Sequence, residues 1–237
     1  MKKKYTIKAL CLAVALFVCG TNLQAQTALE TSFYLNGIAP MGEFGKSASL
    51  NADNLLGKDQ IGTAAALGFG VGARASLPFD IGVGYVAPFV NVDVLWNQVK
   101  SSLREAYAIN QAGAPNYFNI PIMLGVQYRH PMDQYGLQYL VPFAEFSVGY
   151  NLFKAGSEGW KNSETDPYNV YRANGTMAWQ VGVGSFFGSH VSAGLHYYGL
   201  GRHSITYSDR SHGYSSLDSG VQRRTVGTLM LRIGFHF

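Results

Sequence analysis

Arg202-His203-Ser204, followed by Asp209, His212 and Asp218, brings a hydroxyl, imidazoles and carboxylates into one short stretch of chain. A hydrolase or acyltransferase needs those groups, because a serine is a weak nucleophile until an imidazole takes its proton and a carboxylate orients the imidazole. The spacing here matches no nucleophile signature, and histidines and serines in an exposed loop account for the same pattern. The sequence therefore assigns no catalytic residue. Asp53, Asp59, Glu158, Glu164 and Asp166 fall in polar connections without the spacing of a calcium loop. Cys11 and Cys19 are the only cysteines, and both lie in a leader segment, so neither a thiolate metal site nor a disulfide is expected beyond it. No metal or cofactor is implied.

The elements that must carry any remaining chemistry are strands. Side chains on a strand alternate between two faces, and about eight segments alternate in this way, with no competing helical periodicity. Leu29, Thr31, Phe33 and Leu35 lie opposite Glu30, Ser32, Tyr34 and Asn36. In the second segment, Ala65, Leu67, Phe69, Val71, Ala73 and Ala75 oppose Gly68, Gly70, Gly72 and Arg74. The third runs from Ile81 to about Gln98, with Val90, Val92, Val94 and Trp96 opposite Asn91, Asp93 and Asn97. The fourth sets Ile120, Ile122, Leu124 and Val126 against Asn119, Gln127 and Arg129. The fifth sets Phe146, Val148 and Tyr150 against Glu145 and Ser147. Trp179, Val181 and Val183 oppose Gln180, Gly182 and Gly184 in the sixth, and Leu195 and Tyr197 oppose His196 and Tyr198 in the seventh. The eighth sets Leu229, Leu231, Ile233, Phe235 and Phe237 against Thr228, Met230, Arg232 and His236.

Connections alternate in length. Pro78-Phe79-Asp80, Pro131 to Gly136 and Gly188-Ser189 are short and built from turn formers. Ala39 to Gly62, Ser101 to Asn116, Lys154 to Ala173 and Ser208 to Gln222 are long and polar. Several long structureless loops are foreign to a compact soluble domain. They are usual in a membrane barrel, where short turns face the periplasm and long loops face outward. An even strand number puts both termini on the periplasmic side.

The leader agrees. Lys2, Lys3, Lys4 and Lys8 precede an apolar run from Ala9 to Val18, and Leu23-Gln24-Ala25 is a cleavage site before Gln26. The apolar run is shorter than the roughly 20 residues of a spanning helix. Phe17 and Val18 are too bulky for a lipoprotein site at Cys19. Losing four lysines lowers the basic count from 18 to 14, equal to the 14 acidic residues, so the formal charge falls from +4 to zero. Nucleic acid, which needs a clustered basic surface, loses its motive as a partner.

Lipid offers no hydrogen-bond partners, so the strands must close on themselves. The expected fold is all-β: a closed antiparallel transmembrane up-and-down β-barrel of about eight strands over residues 26–237, after a signal peptide at 1–25. A soluble lipocalin-like barrel would reverse the pattern, with apolar residues inside. Glu30, Arg74, Asp93, Arg129, Glu145 and Arg232 all fall on the inward face. They are expected to pair and fill the lumen, with Glu145 against at least one arginine. The inward glycines meet the crowding of a narrow barrel.

Phe118-Asn119-Ile120-Pro121-Ile122-Met123-Leu124, the Ile38-Ala39-Pro40-Met41-Gly42-Glu43-Phe44-Gly45 exit from the first strand, and the terminal Phe237 resemble the small outer-membrane β-barrel proteins of Gram-negative bacteria. These are the porin family, or outer membrane protein beta-barrel domain family, with an architecture like the OmpA transmembrane domain. The resemblance implies insertion among outer-membrane lipid, with Phe235 and Phe237 read by the barrel-assembly machinery. The filled lumen and the unspecific serine–histidine spacing favour a structural or surface-binding role, not an enzyme, over a narrow porin-like channel for small solutes or a lipid-modifying enzyme. Trp160, Tyr168, Tyr171, Tyr207 and Tyr214 could form an extracellular recognition surface. For Tyr171 and Tyr207, an aromatic girdle fits better. Asn174-Gly175-Thr176 matches a glycosylation sequon but reads as a turn and strand start.

Overall fold

The computed structural model describes residues 29–46, 63–109, 113–156, 158–159, 168–209 and 221–237. Eight long strands dominate it: β1 (Glu30–Met41), β2 (Ala65–Ser76), β3 (Tyr85–Val99), β4 (Asn116–Arg129), β5 (Leu140–Ala155), β6 (Asn174–Phe187), β7 (Val191–Asp209) and β8 (Val221–His236). Each pairs antiparallel with its neighbours in sequence, and β8 returns to β1, from Ser32 opposite His236 to Met41 opposite Gly227. The sheet is therefore a closed up-and-down barrel with no free edge along its wall. Thr31 N–H donates to the Phe237 carbonyl at 3.3 Å and Phe237 N–H to the Thr31 carbonyl at 2.9 Å. Both ends of the barrel chain thus lie at the end that carries the short turns.

Burial follows the alternation. Phe33, Leu35, Phe69, Val71, Leu124, Phe146, Leu231 and Ile233 are exposed, while their neighbours Tyr34, Asn36, Arg74, Met123, Glu145 and Arg232 are buried. Apolar outside and polar inside is the inverse of a soluble barrel and the pattern of a lipid-facing one. Outward positions of the eight strands carry no charge until Lys154, Arg202 and Arg223, near the loop end.

Several sequence expectations need correction. The third strand begins at Tyr85 rather than Ile81, because Gly82 (φ 82°) and Gly84 (φ 149°) turn the chain first. Phe79–Asp80 forms a short extra ladder against Val86 and Tyr85. Ala65 was expected outside but is buried, since the register slips between Ala65 and Gly68, and the inserted residue turns it inward. A similar slip separates Gly199 from Arg202 in β7, where Gly201 has φ 90°. The connection after β3 is not structureless: a helix, α1 (Ser101–Ile109), follows Lys100 and buries Leu103. Short strands Glu158–Gly159 and Tyr168–Tyr171 extend the wall beside the far end of β7, with Tyr171 opposite Tyr207.

The inward glycines have a steric reason. A Cβ on Gly72 would sit 2.0 Å from the Asp93 carboxylate and 3.2 Å from the Val92 carbonyl, and one on Gly182 would sit 2.2 Å from His196 Nδ1. Gly37, on the outer face, has nothing closer than the Leu231 carbonyl at 4.0 Å. Gly72→Ala is expected to lower the stability of the refolded barrel by about 1–3 kcal/mol through overpacking. Gly37→Ala should be neutral or stabilising by up to about 1 kcal/mol. Urea midpoints of both variants measure the contrast.

Candidate functional site

The six ionisable residues singled out in the sequence are brought together in the lumen as three ion pairs. Arg74 forks onto Glu145 with Nη1–Oε2 at 2.8 Å and Nη2–Oε1 at 2.7 Å. Arg232 Nη2 reaches both oxygens of Asp93, at 2.9 and 2.8 Å. Arg129 Nη2 lies 2.8 Å from Glu30 Oε2. No pair joins neighbouring strands: the links run β2 to β5, β8 to β3 and β4 to β1. Each spans three steps around a circle of eight and crosses the lumen almost on a diameter.

Burial makes partners obligatory for these charges, since a carboxylate in a dry interior is costly unless every lone pair is used. Besides Arg74, Glu145 accepts from Gln127 Nε2 at 2.7 Å and Gln180 Nε2 at 2.9 Å, with His196 Nδ1 at 3.3 Å. Asp93 accepts from Asn36 Nδ2 at 3.1 Å and from the Tyr198 hydroxyl at 3.0 Å. The guanidinium faces are covered as well. Arg74 lies 3.8 Å over the Phe89 ring, Arg232 4.5 Å over Tyr34, and Arg129 4.5 Å over Phe186. Cation–π contact of this kind stabilises a desolvated arginine where water cannot. Nearer the turn end, His236 bridges Ser32 and Ser192, each at 2.7 Å. Gln127, Gln180, His196, Tyr198, Asn36 and Asn91 were missed as members of the cluster. Alternation had already placed them on the inward face, but only the stagger between strands decides which reach a carboxylate.

The charges do not fill the whole lumen, and here the expectation of a charged plug needs a second correction. Toward the loop end the interior is apolar: Ile38, Leu95, Met123, Phe153, Leu200 and Met230 pack into one buried cluster. Its cap comes from the chain leaving β1. After Met41 a 3-10 turn over Gly42–Phe44 bends back into the mouth and buries Phe44 completely. Phe44 meets the Tyr117 and Phe153 rings edge-on, with centroids 5.5 and 6.4 Å away. The Thr63 hydroxyl donates to the Phe44 carbonyl at 2.7 Å and holds the turn down. Outside this cap, Glu43 accepts the Thr225 backbone N–H at 2.8 Å, and that bond holds its carboxyl below the usual carboxylate range. Within the polar half, the space bounded by Tyr34, Arg74, Glu145, His196 and His236 is about 10 Å³, about the volume of one water-sized probe.

The serine–histidine candidates are not assembled into a site. His203 is fully buried, with Nε2 2.9 Å from the Leu200 carbonyl and 3.1 Å from Asn151 Nδ2, while Ser204 follows it on the opposite face. Arg202 is exposed and Asp209 ends β7 opposite Asn169. His212 and Asp218 lie outside the described residues, as do Trp160, Tyr214, Asp53, Asp59, Glu164 and Asp166. Tyr168 and Tyr171 lie on the short outer strand, and Asn174-Gly175-Thr176 opens β6. Phe235 and Phe237 are exposed on the outer face at the turn end, and Phe237 meets Phe33 edge-on with centroids 6.1 Å apart.

No family model and no curated protein matches the sequence. Solved structures similar to this chain include Neisserial surface protein A, with 13% identity and a TM-score of 0.44 over 88% of this chain and 95% of that one. Ail, the attachment invasion locus protein of Yersinia pestis, gives 11% and 0.41 over 91% and 100%. Outer membrane protein AlkL gives 19% and 0.42 over 91% and 95%. The closed eight-stranded architecture stated above rests on the strand pairing itself.

Glu145→Leu strands Arg74 in the lumen and is expected to cost about 3–5 kcal/mol. The double variant Arg74→Met/Glu145→Leu should recover at least half of that loss. Denaturant midpoints across the double-mutant cycle measure the coupling; an additive cycle would mean the fork contributes nothing as a pair.

Proposed function

We propose that this chain is an outer-membrane β-barrel with a closed lumen, exported by a cleaved signal peptide at 1–25 and acting structurally or in binding at the cell surface. One observation carries the reading: three ion pairs brace the lumen, two of them fully buried, and an apolar cluster capped by Phe44 lies above them. A barrel of eight strands is just wide enough for side chains to fill. Filled in this way it offers solutes no aqueous path, so its working surface is its loop end and outer wall.

The orientation follows from the ends. Both ends of the barrel chain lie with the short turns, which in this reading face the periplasm. Phe235 and Phe237 stand exposed there, where the barrel-assembly machinery would meet them. The longer connections then face the outside, where an extracellular ligand would meet them. A catalytic role finds no support in His203, which is buried beneath the rim, with Ser204 on the opposite face.

Refolded protein in a planar bilayer is expected to give no reproducible single-channel steps, while heat-modifiable gel migration confirms that the barrel is intact. Regular conductance steps from folded protein would overturn the closed lumen in favour of a narrow channel.

A further inference from the structure

The outer wall changes character between Trp179 and Arg223. Outward positions below this level are uncharged on all eight strands, and those that first carry charge, Lys154, Arg202 and Arg223, are all basic. At the opposite end the exposed charges that flank the turns include Asp80 and Asp133. Arg202 pairs with Thr225 across β7 and β8, and Arg223 pairs with Ser204. The two arginines are therefore diagonal neighbours on one exposed face, within reach of a common ligand. Among the described residues no carboxylate makes an ion pair with either. The Glu43 carboxylate feels Arg224 ahead of Arg202 and is bonded to the Thr225 N–H, so it offsets the arginines only in part.

Directly below lies a shelf of a different kind. Gly199 pairs with Trp179 and Gly227 with Gly199. A Cβ on Gly199 would strike the Trp179 indole at 2.4 Å, and one on Gly227 would meet the Tyr197 hydroxyl at 3.0 Å. The indole thus crosses Gly199 and the Tyr197 hydroxyl reaches over Gly227, with the two rings tilted 46° to each other and their centroids 5.4 Å apart. Beneath them Val181, Leu195 and Leu231 are exposed. From the Gly199–Gly227 pair to the Arg202–Thr225 pair is two residues of β8, because β7 carries one inserted residue there, a climb of about 5 Å on strands tilted by about 40°. One headgroup layer of a bilayer is about 5–8 Å thick. Aromatic rings at the hydrocarbon boundary and guanidinium groups one headgroup above it match a phosphorylated lipid from acyl chain to phosphate.

We propose that the outer face of β7 and β8 binds a phosphorylated saccharolipid of the outer leaflet, its phosphate held by Arg202 and Arg223 and its sugar resting on Trp179 and Tyr197. The assignment rests on the membrane reading above. A planar guanidinium fork suits a phosphate bidentately, and a sugar ring stacks its C–H groups on the face of an exposed indole.

The test uses the full chain refolded in phosphatidylcholine vesicles that contain a few per cent of a diphosphorylated lipid A-type saccharolipid or its dephosphorylated form. Lipid retained on the protein after extraction into a zwitterionic detergent is counted by native mass spectrometry. Wild type is expected to retain the diphosphorylated lipid at least tenfold more than the dephosphorylated one, and Arg202→Gln/Arg223→Gln to abolish the preference. Millimolar inorganic phosphate should not displace the lipid. Equal retention of the two lipids, or an unchanged preference in the double variant, overturns the proposal. Displacement by inorganic phosphate also overturns it, since the pair would then take any anion. Heat-modifiable migration is read in each sample: a chain that folds but shows no preference fails this inference alone, whereas a chain that never forms the barrel fails the membrane reading with it.

Discussion

A backbone in lipid has nothing outside itself to bond to. Every N–H and C=O must find its partner along the wall, and a sheet with two edges cannot manage that. The long ladder from Ser32–His236 to Met41–Gly227, which joins the last strand to the first, is therefore the interaction on which the other features depend. Closing on only eight strands fixes a narrow bore, and a narrow bore must be filled by what points into it. The glycines of β2 and β6, the paired charges and the capped mouth are answers to that single restriction.

The two halves of the bore solve it with opposite chemistry. Near the turn end the filling is polar, and burial forces several partners on each carboxylate: Glu145 is met by Arg74, Gln127 and Gln180, and Asp93 by Arg232, Asn36 and Tyr198. Because each ion pair reaches three strands round the circle, a slip of any of the six strands that carry them would separate charges across the lumen. Near the loop end the filling is apolar and tolerant of shape, with Leu95, Met123 and Met230 around Phe44. A hydrophobic cap needs no exact partner, which lets a loop residue supply it.

Much of this was legible in the sequence because alternation has a period of two and lipid enforces it strictly. The faces of Phe69, Val92, Leu124, Val148 and Leu231, and the inward placement of all six charged residues, follow from phase alone. What phase cannot give is stagger. Whether Arg74 meets Glu145 or Asp93 depends on how far each strand is displaced along its neighbour, and nothing local records that. Ala65 escaped because a slip in register reversed its face. Phe44 escaped because a single aromatic after a Gly-Glu pair looks like any loop residue until the turn is seen to fold inward. Helix α1 escaped because it is short, with Leu103 the residue it buries in the core.

The slip at Gly199–Arg202 has the wider reach. Below it the odd-numbered positions of β7, such as Leu195 and Tyr197, look outward and the even-numbered ones look inward; above it Arg202 is exposed and His203 is enclosed. One inserted residue acts as a frameshift in the strand's parity. Read without it, the arginine would enter a mouth already packed with Phe153 and Leu200, and the imidazole would face the surrounding medium. The same sequence written in the other frame would be a barrel with a charge in its apolar half and one cation fewer on that wall. Gly201, at φ 90° and with no side chain of its own, decides which surface the rest of the strand belongs to.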